Sequence, residues 1–323
     1  MLIDTSKPKL DSNSGISVQV TDLRFLRPQA HSDVITVLFC LSGSIDVYVL
    51  YEICTLQAGE FVVCDLDDVF YAKAAEENVT MILQIDAERM EQPYEELHSA
   101  IICCGKQYNA VNPTPYHENV YDYLLSFLHV YMDADGDKED LYKALSKSLL
   151  DLLTAHFTIA DYAFPKDELL HNQHRYLEII QYLKQHGLGK LTIHDLAQHF
   201  YLNENYISQF IRRSTGGSFT RLLNFYRCLN GQWLLLTTNK TVQEISDECF
   251  FSSKKYFHKH FKEFWKTTPL QHKKHFQMLQ QPDVLRAVDS RTVGVLCEKF
   301  IADRFIKMCL CWEWDTGNIV EKE

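Results

Sequence analysis

The sequence predicts a two-domain α+β protein, with a β-barrel or sandwich in front, helices after it, and an all-α region of two helix-turn-helix units behind. Three observations predict this. Residues 17–86 alternate short apolar segments with glycine turns, the pattern of a small antiparallel barrel. A helix-turn-helix pattern then occurs twice, about fifty residues apart. The second half also carries its own charge sign: residues 174–276 hold 15 Lys and Arg against 7 Asp and Glu, whereas the remainder holds 17 against 36. A basic block inside a chain of net charge −11 is the footprint of a polyanion-binding surface.

In the front half, VITVLFCL (34–41) is a continuous apolar run suited to a strand buried on both faces, and SIDVYVL (44–50) alternates with period two. Ser42-Gly43-Ser44 turns between them, LQAGE (56–60) leads into FVVCDL, and VTMILQI (79–85) closes the series. Asn112-Pro113-Thr114-Pro115 marks a boundary. YHENVYDYLLSFLHVYM (116–132) and LYKALSKSLLDLLTAHF (141–157) then read as amphipathic helices joined by DADGDKED. They form either a packing or dimer face or a cover for the sheet. DYAFPKDELLHNQ (161–173) reads as a linker, and a helix from His174 stops at Gly187 and Gly189. The expected divisions are 1–110, 111–173, 174–276 and an extension at 277–323.

Each repeated unit opens on a capping pattern, Thr192 with Asp195 and Thr241 with Glu244, which satisfies free N–H groups at a helix start. An apolar stripe follows (Ile193, Leu196, Ala197, Phe200; Val242, Ile245, Cys249), then a short break, a second N-cap (Asn203; Ser252) and a second striped helix. In such a motif the second helix enters the major groove. That placement explains why Lys254, Lys255, His258, Lys259, His260 and Lys262 follow the acids Glu244, Asp247 and Glu248.

The stretch Leu191–His275 resembles the DNA-binding domain of the AraC/XylS family of bacterial transcription regulators. The carrying residues are Leu191-Thr192 with Asp195-Leu196-Ala197, Tyr206-Ile207-Ser208, and Ser214-Thr215-Gly216 before Ser218-Phe219. They continue through Arg227, Leu234-Leu235, Ile245, Cys249, Phe251-Ser252, Tyr256-Phe257, Phe261-Lys262 and Thr268-Pro269. The resemblance implies a linker helix at about 218–237 and two readers in successive major-groove segments, ~34 Å apart. It places Glu204, Asn205, Ser208 and Gln209 of the first unit, and Lys254, Lys255, His258 and Lys259 of the second, toward bases. Arg212, Arg213, Arg221 and Lys262 are expected on phosphates. The chain departs from the family pattern at Phe250, where Gly is usual, at Thr267-Thr268, and at Gly231 in the linker helix. Phe250 is expected to tighten the turn or alter the approach to DNA.

Residues 17–86 resemble, more loosely, the family's cupin-like domain, through Leu41-Ser42-Gly43-Ser44 and Leu56 with Gly59-Glu60 and Phe61. The implied partners are double-stranded promoter DNA, RNA polymerase, a small-molecule effector such as a sugar, and a second copy of the chain. The alternative is an effector-independent regulator whose barrel serves only dimerisation or protein contacts. Phe39, Tyr48, Tyr51 and Tyr71 are candidates for an effector pocket, and Arg24 and His31 for an arm before the first strand. His31 and His98 are the only histidines in the first 110 residues, which argues against a metal cofactor or a cupin enzyme. Ten cysteines without a C-x-x-C pair read as reduced core residues. No signal-peptide pattern or membrane-length apolar run is present, so a cytoplasmic location is expected.

Overall fold

The computed structural model describes residues 1–49, 52–90, 94, 97, 101–111, 113–133, 138–158 and 169–317. Seven strands in the first 86 residues form the barrel: β1 (Ile16–Gln29), β2 (Val34–Ser42), β3 (Ser44–Val49), β4 (Glu52–Gln57), β5 (Phe61–Cys64), β6 (Phe70–Lys73) and β7 (Val79–Asp86). All named pairings are antiparallel, in the order β4-β3-β6-β1-β7-β2-β5. The sheet curls into a nearly closed barrel.

The apolar run of β2 is buried throughout because its two faces meet different cores. Ile35, Val37, Phe39 and Leu41 face a helical layer. Leu38 and Cys40 face inward, among Leu23, Ile45, Val47, Leu56, Val62 and Phe70. The inward side chains thus form one continuous buried cluster, as in small barrels filled by their own residues. At the β2–β3 turn Gly43 has φ +74°, and a Cβ there would meet the Glu77 carbonyl at 2.5 Å, so both backbone and space require glycine.

The helical layer consists of α1 (Lys106–Val111), α2 (Tyr116–Met132) and α3 (Lys138–His156). Val120, Leu124, Phe127 and Leu128 of α2, and Leu149, Leu150 and Leu153 of α3, pack on the outer face of the sheet. Cys40, Cys54, Cys64, Cys103, Cys104, Cys228, Cys249 and Cys297 are buried and in no disulfide. Burial raises the Cys64 and Cys104 thiols well above their usual range.

Arg24 does not precede the first strand. It lies within β1, with Nε donating to Asp22 Oδ2 at 2.9 Å. His31 is buried just after β1 and shares a 2.9 Å hydrogen bond with Gln29. The mixed polar and apolar pattern of β1 has a topological cause: its first half pairs with β7 and its second half with β6. Phe39 is likewise no pocket residue, being fully buried against Tyr121 and Phe300. Tyr51 and His98 lie outside the described residues.

Among the described residues eight helices and one strand follow: α4 (Leu169–His186), α5 (Ile193–His199), α6 (Glu204–Thr215), α7 (Phe219–Thr237), α8 (Val242–Glu248), α9 (Lys254–Trp265), α10 (Pro269–Met278) and, after strand β8 (Val284–Ala287), α11 (Ser290–Gly317). Helix α4 starts before His174, so residues 169–173, read as linker, are helical. The described part of the 277–323 extension returns to the barrel. β8 pairs with Thr21, Asp22 and Leu23 of β1. Val293, Cys297 and Phe300 of α11 join the helical-layer core, and Arg304 of α11 grips Asp122 through Nε and Nη2 at 2.6 and 2.8 Å.

Candidate nucleic-acid interface

Both repeated units begin on full capping boxes. Thr192 and Thr241 each accept the N–H of the acid three residues on, and Asp195 and Glu244 each accept the cap N–H. Those hydrogen bonds hold both exposed carboxyls below the usual range. A third box, Thr268 with Gln271, starts α10. The second reader helix is capped by Asn203 in the first unit but by Ser253 in the second, one residue later than expected.

The turns within the two units are alike, so Phe250 neither tightens nor redirects its own. The N–H of Leu202 bonds the Ala197 carbonyl and that of Tyr201 the Gln198 carbonyl. Phe251 to Ser246 and Phe250 to Asp247 repeat this forty-nine residues later. Each first helix therefore ends in a Schellman motif, with an aromatic residue at the left-handed position: Tyr201 at φ +54° and Phe250 at φ +57°. Lys266 holds φ +57° at the end of α9, where α6 ends on Gly216. A non-glycine residue is strained there. Tyr201→Gly, Phe250→Gly and Lys266→Gly are each expected to raise stability by about 0.5–1 kcal/mol in chemical denaturation.

Packing divides each reader helix into two faces. Ile207, Phe210 and Ile211 of α6 are buried, as are Phe257, His260 and Phe261 of α9, fifty residues later. Glu204, Asn205, Ser208, Gln209 and Arg212 form the exposed stripe of α6. The same offset gives Lys254, Lys255, His258, Lys259 and Lys262 on α9, of which all but His258 are exposed. The i, i+1, i+4, i+5, i+8 spacing sets each group on one side of its helix. The structure thus brings nine of the twelve candidates for DNA contact onto two matching faces, with His258 at the margin of the second. Arg213 is exposed next to the first stripe.

Several candidates have additional roles. Glu204 pairs with His194 of α5 at 2.8 Å, tying the reader to the helix before it. His258 is half-buried with its Nε2 enclosed and unpartnered. Burial and the nearby Lys254 charge lower its pKa, so the ring is neutral near pH 7. Arg221 of α7 donates through Nε to Glu263 Oε1 at 2.9 Å and lies over the Phe264 ring. It therefore joins the linker helix to α9, and its bond, together with that from His260, holds the Glu263 carboxyl below its usual range. His260, counted at first among the basic residues, is buried between Asn224 and Glu263.

The linker helix matches its expected range of 218–237 and docks on the second unit through two buried polar pairs, Asn224 with His260 and Gln232 with His272. Between them, Gly231 faces the Phe257 ring. A Cβ at 231 would approach Phe257 Cε2 to 2.7 Å. Glycine thus costs about 1 kcal/mol of helix propensity and gains the close approach of two helices. The sequence marked Gly231 only as a departure, because its partner lies 26 residues away.

Among the described residues, no group of three or more His, Cys, Asp or Glu is placed to hold a metal ion, and no helix is long and apolar enough to cross a membrane.

Residues 196–275 match a family model described as a helix-turn-helix domain. The transcriptional regulatory protein HptR of Staphylococcus aureus is 34% identical over 92 residues, 28% of this chain and 36% of HptR. The uncharacterized HTH-type transcriptional regulator YijO of Escherichia coli is 26% identical over 106 residues, 32% of this chain and 38% of YijO. The chain thus spans little more than a third of the length of the curated relatives it matches. Among solved structures, ToxT from Vibrio cholerae O395 is 13% identical and aligns over 83% of this chain and 99% of its own, with a TM-score of 0.42. Two capped helix pairs, a linker helix locked between them, and the match over 196–275 make residues 196–275 an AraC-type helix-turn-helix domain.

Proposed function

We propose that the chain is a sequence-specific transcription regulator that binds double-stranded promoter DNA through α6 and α9. The exposed stripe repeated at a fifty-residue offset carries this reading: two helices with equivalent exposed faces suit two successive major-groove segments. Asn205, Ser208 and Gln209 are proposed to read base edges from α6, and Lys254, Lys255 and Lys259 from α9. Arg212, Arg213 and Lys262 are assigned to phosphate. Arg221 drops to a supporting role because Glu263 already holds it. His258, neutral and half-buried, contributes shape and a hydrogen bond. The working arrangement is a cytoplasmic homodimer on repeated half-sites that contacts RNA polymerase and activates.

For the barrel, the continuous apolar filling of its interior favours the reading in which the lumen takes no effector and the domain serves contacts. Tyr71, once a pocket candidate, stacks on Tyr48 and hydrogen-bonds His275 of α10 at 2.8 Å. It attaches the barrel to the DNA-binding domain.

The test is titration of labelled promoter fragments across a salt series. With three phosphate-assigned cations per protomer, the logarithm of affinity is expected to fall with log salt at a slope near −3 per protomer. A flat response, or equal affinity for every fragment, removes the proposal.

A further inference from the structure

The two reader helices share a frame and differ in chemistry. Both run twelve residues, α6 from Glu204 behind the cap Asn203 and α9 from Lys254 behind the cap Ser253. Their buried faces coincide at the fifty-residue offset, Ile207, Phe210 and Ile211 matching Phe257, His260 and Phe261. The turns before them repeat the same two backbone bonds. Side chains at matching exposed positions therefore leave equivalent points on equivalent helices. We infer that the DNA site of one protomer is asymmetric: the segment under α6 carries adenine, and the segment under α9, about one helical turn away, carries guanine.

Three matched pairs of exposed residues carry this. Asn205 on α6 stands where α9 has Lys255, Gln209 where it has Lys259, and Glu204 where it has Lys254. A terminal amide offers a donor and an acceptor side by side. That is the complement of the N6 donor and N7 acceptor that adenine shows in the major groove. An ammonium group only donates. Guanine gives it two acceptors, O6 and N7, whereas thymine gives one beside a methyl group, and adenine and cytosine each set a donor against it. At the same points of the same frame, α6 thus selects adenine and α9 selects guanine.

Glu204 adds exclusion to preference. Its carboxylate, paired with His194 at 2.8 Å, can only accept hydrogen bonds. A guanine edge beneath it would set acceptor against acceptor. Lys254 reverses the sign at the same place on α9. Two turns further on the readers agree again, with Arg212 on α6 and Lys262 on α9 both exposed and cationic. Agreement is expected there, because phosphate is the same in every sequence. The two helices thus differ at the positions assigned to bases and match at the position assigned to the backbone.

The asymmetry rests on the DNA-binding proposal and gives it a base composition. A site whose two segments differ has a direction, so it fixes which way round a protomer lies along the duplex. In a pair of protomers the adenine and guanine segments alternate along a direct repeat and mirror each other in an inverted one.

The test is selection from a random-sequence duplex library by the full chain, followed by competition binding on the enriched site. The parent is expected to enrich two segments with centres about 10 base pairs apart, one containing adenine and the other guanine. Asn205→Lys with Gln209→Lys gives α6 the ammonium groups of α9, and should turn the adenine segment to guanine while leaving the other unchanged. Lys255→Asn with Lys259→Gln should turn the guanine segment to adenine. In the parent, 7-deazaguanine in one segment and 7-deazaadenine in the other remove the N7 acceptor, and each should weaken binding by about 5-fold or more. These two probes decide the matter if a variant fails to fold. The same base preference in both segments, unchanged selection by either folded variant, or undiminished affinity for either probe overturns the inference and leaves the regulator reading standing. A library from which no sequence is enriched removes that reading, and this one with it.

Discussion

Lys254→Ala, Lys255→Ala and Lys259→Ala together are expected to weaken promoter binding by roughly a thousandfold, about 4 kcal/mol, if each lysine makes a charge-assisted contact of about 1–2 kcal/mol. All three side chains are exposed on α9, and none holds an ion pair among the described residues. Lys259 lies over the Tyr256 ring at 5.8 Å, its one described aromatic contact. Thermal unfolding should therefore change little, within about 0.5 kcal/mol per exposed substitution, so lost affinity would report recognition and not folding. Gln209→Ala on α6 is the companion variant. It removes no charge, so it should leave the salt slope intact while reducing the preference for promoter over competitor by about 1–3 kcal/mol. Equal affinity of the triple variant and the parent for the promoter would exclude α9 as a reader.

Acid is expected to strip stability from the DNA-binding half through His272. Burial, with a smaller push from His275, lowers its pKa from 6.5 to about 4. The folded protein keeps the ring neutral so that Nε2 can accept the Gln232 amide at 3.1 Å. The sign follows from linkage: the unfolded chain binds a proton near pH 6.5 and the folded chain only near 4, so the contribution is complete above 6.5 and is lost as pH falls to about 4. The full loss is about 3 kcal/mol. Chemical denaturation near neutral pH and again near pH 4 should show a larger drop for the parent than for His272→Gln, which stays neutral throughout. Equal drops would mean that His272 does not govern acid stability. His31, His117 and His275 are also lowered, chiefly by burial, and act in the same direction.

What could be read in advance was local. Period-two alternation marked β3, an apolar run marked β2, and i, i+3, i+4 spacing marked α2 over its full length. The capping boxes and the two stripes were legible because each is closed within four to eight residues. Ser252 and Ser253 are adjacent and chemically alike, so the choice of N-cap depended on where the Schellman turn released the chain. β1 changes partners along its length, which blurs its alternation. The four residues of β8 carry no pattern of their own and become a strand only against Thr21 to Leu23. The cavity of about 370 Å³ between the barrel and the linker helix was invisible because Asp65, Lys184 and Tyr226, which line it, are far apart in the sequence and share its walls only when the two halves dock.

The return of β8 also bears on how the chain is made. Thr21 pairs with Ala287, so during synthesis the barrel must wait, with the middle of β1 incompletely paired, until the entire DNA-binding segment has left the ribosome. A product ending near His275 would keep both readers yet leave backbone donors and acceptors bare along that stretch of β1, a template for another chain. The last strand thus covers a stretch of β1 that stays open until the readers have been made, and a chain without it would carry an adhesive edge there.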